Sequence, residues 1–258
     1  MSVSMDKEIQ KTERIAKRIA RAGLCSRREA ERWINDGRVV VNGEKLQTPA
    51  CVVSDADDIR VDGKPLPGKE ETKLFLYHKP VGLVTSHKDE KGRDTVFDHL
   101  PDYMPRVVSI GRLDLNTEGL LMMTNDGELS RYLELPTTGW RRKYRVRVHG
   151  HVNAKKLAKL KDGITVDGVR YKSIEATIEE TRDMEKLGRA NTWLNITLRE
   201  GKNREIRKVM EAINLQVSRL IRVSYGPFQL GNLRTGAVSE VSQKVLHDQV
   251  GGFFKARK

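Results

Sequence analysis

The sequence predicts an α+β protein made of a small basic N-terminal unit, two helices packed on a short sheet (αα-β), and a larger mixed domain with a mainly antiparallel sheet. Three observations carry this. Pro65-Leu66-Pro67-Gly68-Lys69-Glu70-Glu71-Thr72 combines prolines, a glycine and charges with no apolar period, as a connection between separately folded units does. Ahead of it lie two short amphipathic helical patterns followed by strand and turn signals. Beyond it, strand and helix candidates alternate irregularly, without the regular period of a βαβ array. The expected division is residues 12–66, a linker at 67–72, a domain at 73–246 and a basic tail at 247–258. A chain of 258 residues is long enough for two modest cores.

The elements follow in order. Residues 12–23 place Ile15, Ile19 and Ala22 on one helical stripe, with Gly23 as the stop. Ser26-Arg27-Arg28-Glu29 is a capping box opening a second helix through Trp33 and Ile34 to Gly37. Val39-Val40-Val41 with Asn42-Gly43, and Ile59-Arg60-Val61 with Asp62-Gly63, read as strands with tight turns. In the larger domain, Leu74 to Tyr77, Val107-Val108, Leu120 to Met123, Tyr144 to Val148, Thr192 to Leu198 and Val217 to Val223 are strand candidates. Residues 153–161 and 203–213, and a short stretch near 127–134, read as helices. The C-terminal Phe253-Phe254-Lys255-Ala256-Arg257-Lys258 reads as a mobile basic tail, with a docked Phe pair as the alternative.

The formal net charge of +13 makes a polyanion, RNA or DNA, the natural partner. No run of about 18 apolar residues and no apolar signal-peptide core is present, so a soluble, cytoplasmic protein with no membrane partner is expected. Cys25 and Cys51 lack the paired spacing of a zinc or redox site and are expected to be buried and unbridged. His149-x-His151 has no further ligands nearby, and no structural metal is expected. Nothing forms a P-loop or a GxGxxG fingerprint.

The chemistry is expected in SIGRLDLNTEGLLMMTNDG, residues 109–127, a polar loop around Asp114 that runs into an apolar segment short enough to be a buried strand. Gly111 and Gly119 permit backbone conformations closed to other residues. Taken alone, an aspartate in such a loop is more often a turn former. Two basic segments accompany it. Trp140 to Val148 alternates apolar and cationic residues in its second half, which gives one packed and one positive strand face. Gly201 to Met210 enters a helix whose core stripe is Ile206, Val209, Met210 and Ile213. Arg207 lies beside that stripe and either snorkels to water or faces a carboxylate in a cleft.

Between Arg14 and Arg38 eight basic residues face three acidic ones, a one-signed surplus suited to tracking phosphates. Residues 12–65, with ARAGLCSRREAERWINDGRVVVNG at their centre, resemble an S4 RNA-binding domain. By that resemblance Arg18, Arg27, Arg28, Arg38 and Lys45 are candidate RNA contacts.

From the residues alone, the reading is a basic two-unit RNA-binding protein with one rigidly held aspartate, and no spacing specifies a reaction. The motifs HKPVGLVTS (78–86), GRLDLNTEGLLMMTNDG (111–127), KYRV (143–146), GKNREIRKVME (201–211) and RLIRVSYGPFQLGNLRTG (219–236) together resemble the RsuA/RluB/RluE/RluF family of ribosomal RNA pseudouridine synthases. The resemblance spans residues 12–245. It implies that Asp114 is the catalytic carboxylate acting on the ribose of a target uridine, and that Arg207 is the cation paired with it. It also implies that Tyr144 is the active-site tyrosine against the base and that Arg112 fills the space left by the extruded nucleotide. The reaction it implies needs no metal, cofactor or small-molecule cosubstrate, and a monomer is expected. Arg204-Glu205, in place of His-Gln, resembles the large-subunit branch, so a uridine of 23S ribosomal RNA and an RluB-like member are favoured. An RluF-like or small-subunit-specific synthase, a catalytically silent assembly factor and an RNA glycosidase are the alternatives.

Overall fold

The computed structural model describes residues 12–68, 70–179 and 191–256. They belong to two units that divide in sequence between Thr72 and Lys73.

In the first unit β1 (Glu13–Arg14) leads into α1 (Ile15–Arg21), α2 (Arg27–Asn35), β2 (Val39–Val41), β3 (Glu44–Lys45), β4 (Val52–Val53), β5 (Ile59–Val61) and β6 (Lys64–Pro65). Ser26 caps α2 by accepting from the Glu29 amide at 3.1 Å. The first helix is shorter than its apolar stripe suggests, because Glu13 and Arg14 are extended and pair with β4, and the Ile15 amide donates to the Cys51 carbonyl. Asn42-Gly43 and Asp62-Gly63 both take positive φ, which two-residue hairpin turns require, and they join β2 to β3 and β5 to β6. Ile15, Ile19, Ala30, Ile34, Val39 and Ile59 form the core under these strands. Cys25 is buried and Cys51 half-buried, and neither is in a disulfide.

The second unit comprises β7 (Leu74–Lys79), β8 (Val108–Ile110), β9 (Glu118–Thr124), α3 (Gly127–Glu134), β10 (Arg142–His149), α4 (Ala154–Lys159), β11 (Ile164–Val166), β12 (Val169–Tyr171), β13 (Ile174–Ile178), β14 (Thr192–Leu198), α5 (Glu205–Ala212), β15 (Gln216–Tyr225), β16 (Phe228–Gln229), β17 (Val238–Glu240) and α6 (Gln243–Lys255). Among the described residues, one nine-stranded sheet runs β13-β14-β10-β15-β9-β7-β17, with β16 on β15 and β8 on β9. Its pairings are antiparallel except β15 with β9, which is parallel. The whole of β9 is buried: Leu120 and Met122 enter one core with Tyr225 and Phe253, while Leu121 and Met123 enter another with Phe75 and Tyr77. An uninterrupted apolar run is what a strand covered on both faces needs.

Gly119 sits where β9 and β15 come closest. With φ near +103°, an added Cβ would stand 2.3 Å from the Arg222 carbonyl oxygen, so only glycine fits.

The expected C-terminal tail is corrected by the structure. Residues 243–255 form α6, kinked at Val250, and Leu246, Val250 and Phe253 are buried in the core that holds Leu120 and Met122. The apolar residues at 246, 250 and 253 follow a helical spacing that the flanking charges obscured.

Candidate active site

The Asp114 loop runs from Gly111 to Thr117 between β8 and β9, and it is held at nearly every residue. Gly111, at φ +68°, donates its amide to Glu134 at 2.9 Å. The Thr117 amide closes a turn on the Asp114 carbonyl at 2.9 Å, and the Gly82 amide donates to the Leu115 carbonyl at 2.8 Å. Thr85 Oγ1 donates to the Leu113 carbonyl at 2.8 Å. The segment HKPVGLVTS therefore braces the loop from one side, and its lysine goes deepest. Lys79 is fully buried and its Nζ donates to the Thr117 carbonyl at 3.0 Å and to the Pro80 carbonyl at 2.8 Å. Burial pulls its pKa down to about 8, against the opposing pull of Asp114 and Glu118.

Further cations reach the same stretch of chain from other elements. Arg207 of α5 donates to the Asn116 carbonyl at 2.7 Å, Arg219 of β15 forks onto the Glu118 carboxylate at 2.6 and 3.1 Å, and Arg222 of β15 donates to the Leu120 carbonyl at 2.7 Å. Residues 116–120 are thus pinned by four cations.

The expected Asp114–Arg207 ion pair is not made. No cation among the described residues lies within 4.0 Å of the Asp114 carboxylate, and the Arg207 fork is taken up by the carbonyls of Asn116 and Val217. Asp114 acts on Arg207 across a gap: burial and Arg204 lower the Arg207 pKa, and Asp114 raises it. Helix α5 therefore positions the Asp114 loop through its backbone. Arg207 lines a separate groove with His149, Arg204 and Gln216.

Asp114 opens instead onto a cavity of about 800 Å³ that Arg112, Tyr144, Glu205, Arg222 and Tyr225 also line. Tyr144 is buried on β10, in direct cross-strand register with Arg222 of β15. Arg112 is exposed at the cavity's edge. Cations outnumber carboxylates on the walls, since Arg142, Lys172, Arg199, Lys202 and Arg204 join those already named. Glu205 is nearly fully buried, and burial raises its pKa to about 7 although the Lys202 amide donates to it at 2.9 Å. The structure thus brings Asp114, Tyr144 and Arg112 into one cavity, and Arg207 is not among the residues that line it. Lys79, Glu205 and Arg222 were not among the expected site residues. For Arg222 a signal existed, since Leu220, Arg222 and Ser224 alternate on the buried face of β15.

In the first unit most of the candidate RNA contacts are engaged with neighbours. Arg38 stacks on Trp33 and forks onto Asp62, which lowers the Asp62 pKa. Arg18 pairs with Asp55 at 2.7 Å, and Arg27 with Glu31 at 3.7 Å. Arg28 and Lys45 are exposed and form no ion pair among the described residues.

Comparison with known proteins now decides the family: residues 73–212 match the RNA pseudouridylate synthase model. The chain belongs to that family. Residues 13–59 of the synthase match the S4 domain. It is 41% identical over 237 residues to an RNA pseudouridine synthase of Rickettsia prowazekii (strain Madrid E), covering 92% of this chain and 97% of that protein. It is 42% identical over 244 residues to ribosomal large subunit pseudouridine synthase B of Yersinia pestis, covering 91% of this chain and 74% of the relative. Among solved structures, a pseudouridylate synthase superposes with a TM-score of 0.63 at 26% identity, covering 92% of the synthase and 99% of that chain.

Proposed function

We propose that this synthase isomerises a specific uridine of 23S ribosomal RNA to pseudouridine, with Asp114 as the catalytic carboxylate. The observation that carries the proposal is a carboxylate braced through the backbone of its loop, open to a cationic cavity and bound to no side chain among the described residues. Kinship with proteins named for the large ribosomal subunit favours the RNA, and the S4 unit gives a second place for it to bind.

The cavity is large enough for a nucleoside swung out of its stack. Its cationic rim receives the flanking phosphates, and Arg112 at the edge takes up the space the nucleoside vacates. The bond from C1′ to N1 breaks, the base turns, and C5 bonds to C1′ while the proton on C5 is given up and N1 gains one. Asp114 acts at the sugar, by attack on C1′ or by removal of the 2′ proton, and both routes use the ionised carboxylate. Tyr144, on the sheet floor, packs against the base and moves a proton in the final step.

The test is chemical mapping of pseudouridines in ribosomal RNA from cells with and without the gene, and from cells carrying Asp114→Asn. One large-subunit uridine is expected to lose its modification in both altered strains. Full modification with Asp114→Asn would remove Asp114 from the mechanism, and release of free uracil in place of isomerisation would indicate a glycosidase.

A further inference from the structure

One buried cation in the cavity has no counterpart among the described residues. Arg222 is 3% exposed and lies between Tyr144 of β10 and Gly119 of β9 in the sheet. Its Nε is committed to the Leu120 carbonyl, and its guanidinium carbon stands 5.3 Å from the centre of the Tyr225 ring. Nη2 is buried without a hydrogen-bond partner, and no carboxylate pairs with the side chain among the described residues. A buried cation lacking both a counter-charge and a full set of acceptors destabilises the free protein. Such groups persist where an arriving ligand completes them.

We propose that Arg222 donates to a carbonyl oxygen of the extruded uracil and stabilises the negative charge the base acquires when its bond to the sugar breaks. The proposal rests on the isomerisation put forward above. Heterolysis of C1′–N1 leaves the electron pair on the base, spread over N1, O2 and O4. The new C1′–C5 bond takes up a pair, the proton on C5 departs and N1 is protonated, so the step is redox-neutral and needs no co-reactant. A base that must turn while anionic needs a fixed positive charge that does not surrender a proton. A guanidinium meets that requirement, since it stays charged at any working pH. The other cations on the loop are already directed elsewhere: Lys79 to Thr117, Arg207 to Asn116 and Arg219 to Glu118. Arg222 shares its face of the sheet with Tyr144, against which the base packs.

The experiment measures single-turnover isomerisation on three versions of a large-subunit RNA fragment, with uridine, 2-thiouridine or 4-thiouridine at the mapped target. It uses the wild-type enzyme, Arg222→Met and Arg222→Lys. Sulfur is a poor acceptor, so one of the two thio substitutions is expected to slow the wild type about tenfold or more, as loss of a hydrogen bond to developing charge does. Arg222→Met is expected to lose about 100-fold in rate on the uridine RNA, with RNA affinity little changed, and to be insensitive to sulfur. Arg222→Lys should recover part of the loss. Wild-type rates equal on all three RNAs would overturn the proposal even if the Met variant failed to fold, and so would a sulfur effect undiminished in that variant. A wild type that isomerises no uridine at all would instead defeat the proposed function.

Discussion

Replacing Lys79 with Met removes the cation beneath the Asp114 loop, and its effect on stability is expected to depend on pH in a specific way. The ammonium is fully buried, and its pKa falls from 10.5 to about 8 because burial disfavours the charge more than Asp114 and Glu118 favour it. In the unfolded chain the same lysine keeps its ordinary value. Between pH 8 and 10.5 the unfolded state therefore binds more protons than the folded one, and stability rises with pH through that window. Below pH 8 both states are protonated and the full cost of the buried charge is present. A difference of about 2.5 units corresponds to roughly 3 kcal/mol, recovered as pH climbs from 8 to 10.5. Lys79→Met has no such recovery, and it leaves the Thr117 and Pro80 carbonyls without a donor.

The assay is urea unfolding of wild type and Lys79→Met at half-unit steps from pH 7 to 10.5, followed by fluorescence. Subtracting one series from the other cancels the groups the two proteins share. The wild type should gain on the variant by roughly 3 kcal/mol across the window. A difference that stays flat with pH would refute the reasoning, and one that falls would reverse its sign. In the same buffers, isomerisation by the wild type should decline above pH 8 as the loop loses a positive charge, a decline absent from the variant.

Gly119→Ala places a Cβ against the Arg222 backbone and demands positive φ of a residue with a side chain, so thermal unfolding should register a loss of several kcal/mol, opposite in sign to an ordinary Gly to Ala change in a strand, which stabilises by about 0.5–1 kcal/mol. Phe253→Ala should cost about 3–5 kcal/mol by chemical denaturation because Phe253 is buried in a core, whereas a mobile tail would register nothing. Arg28→Glu and Lys45→Glu should weaken binding to ribosomal RNA, and each should lower the slope of log K against log salt by about one. The same change at Arg38 should act mainly on stability, since its fork onto Asp62 is lost.

The sequence made the strands of the sheet legible where side chains report burial directly. Leu120 to Met123 are apolar because β9 is covered on both faces, and Tyr144, Val146 and Val148 alternate because β10 is half covered. The Ser26 cap and the Asn-Gly and Asp-Gly turns were readable because their chemistry is local. Elements fixed by partners distant in sequence were not: β1 exists only because β4 lies beside it, and α6 because a core waits for Phe253. The parallel contact of β15 with β9 left one trace, a glycine at 119 whose necessity comes from a backbone more than a hundred residues away.

The candidate site shows the same limit and explains the one misplaced role. Arg207 reaches the Asp114 loop, yet its hydrogen bonds go to main-chain carbonyls, those of Asn116 and Val217. Arg222 does likewise from β15 and Lys79 from β7, while Arg219 forks onto the Glu118 side chain. The result differs physically from an ion pair. In the proposed mechanism, a guanidinium clamped onto Asp114 would occupy the lone pairs that act on the sugar, and substrate entry would have to break a strong charged contact. Cations anchored on the carbonyls and carboxylate of residues 116–120 instead fix the loop and leave a positive field around a carboxylate whose oxygens stay uncommitted. On the proposed reading, substrate then meets an aspartate already in place, so little reorganisation is needed at the moment of reaction.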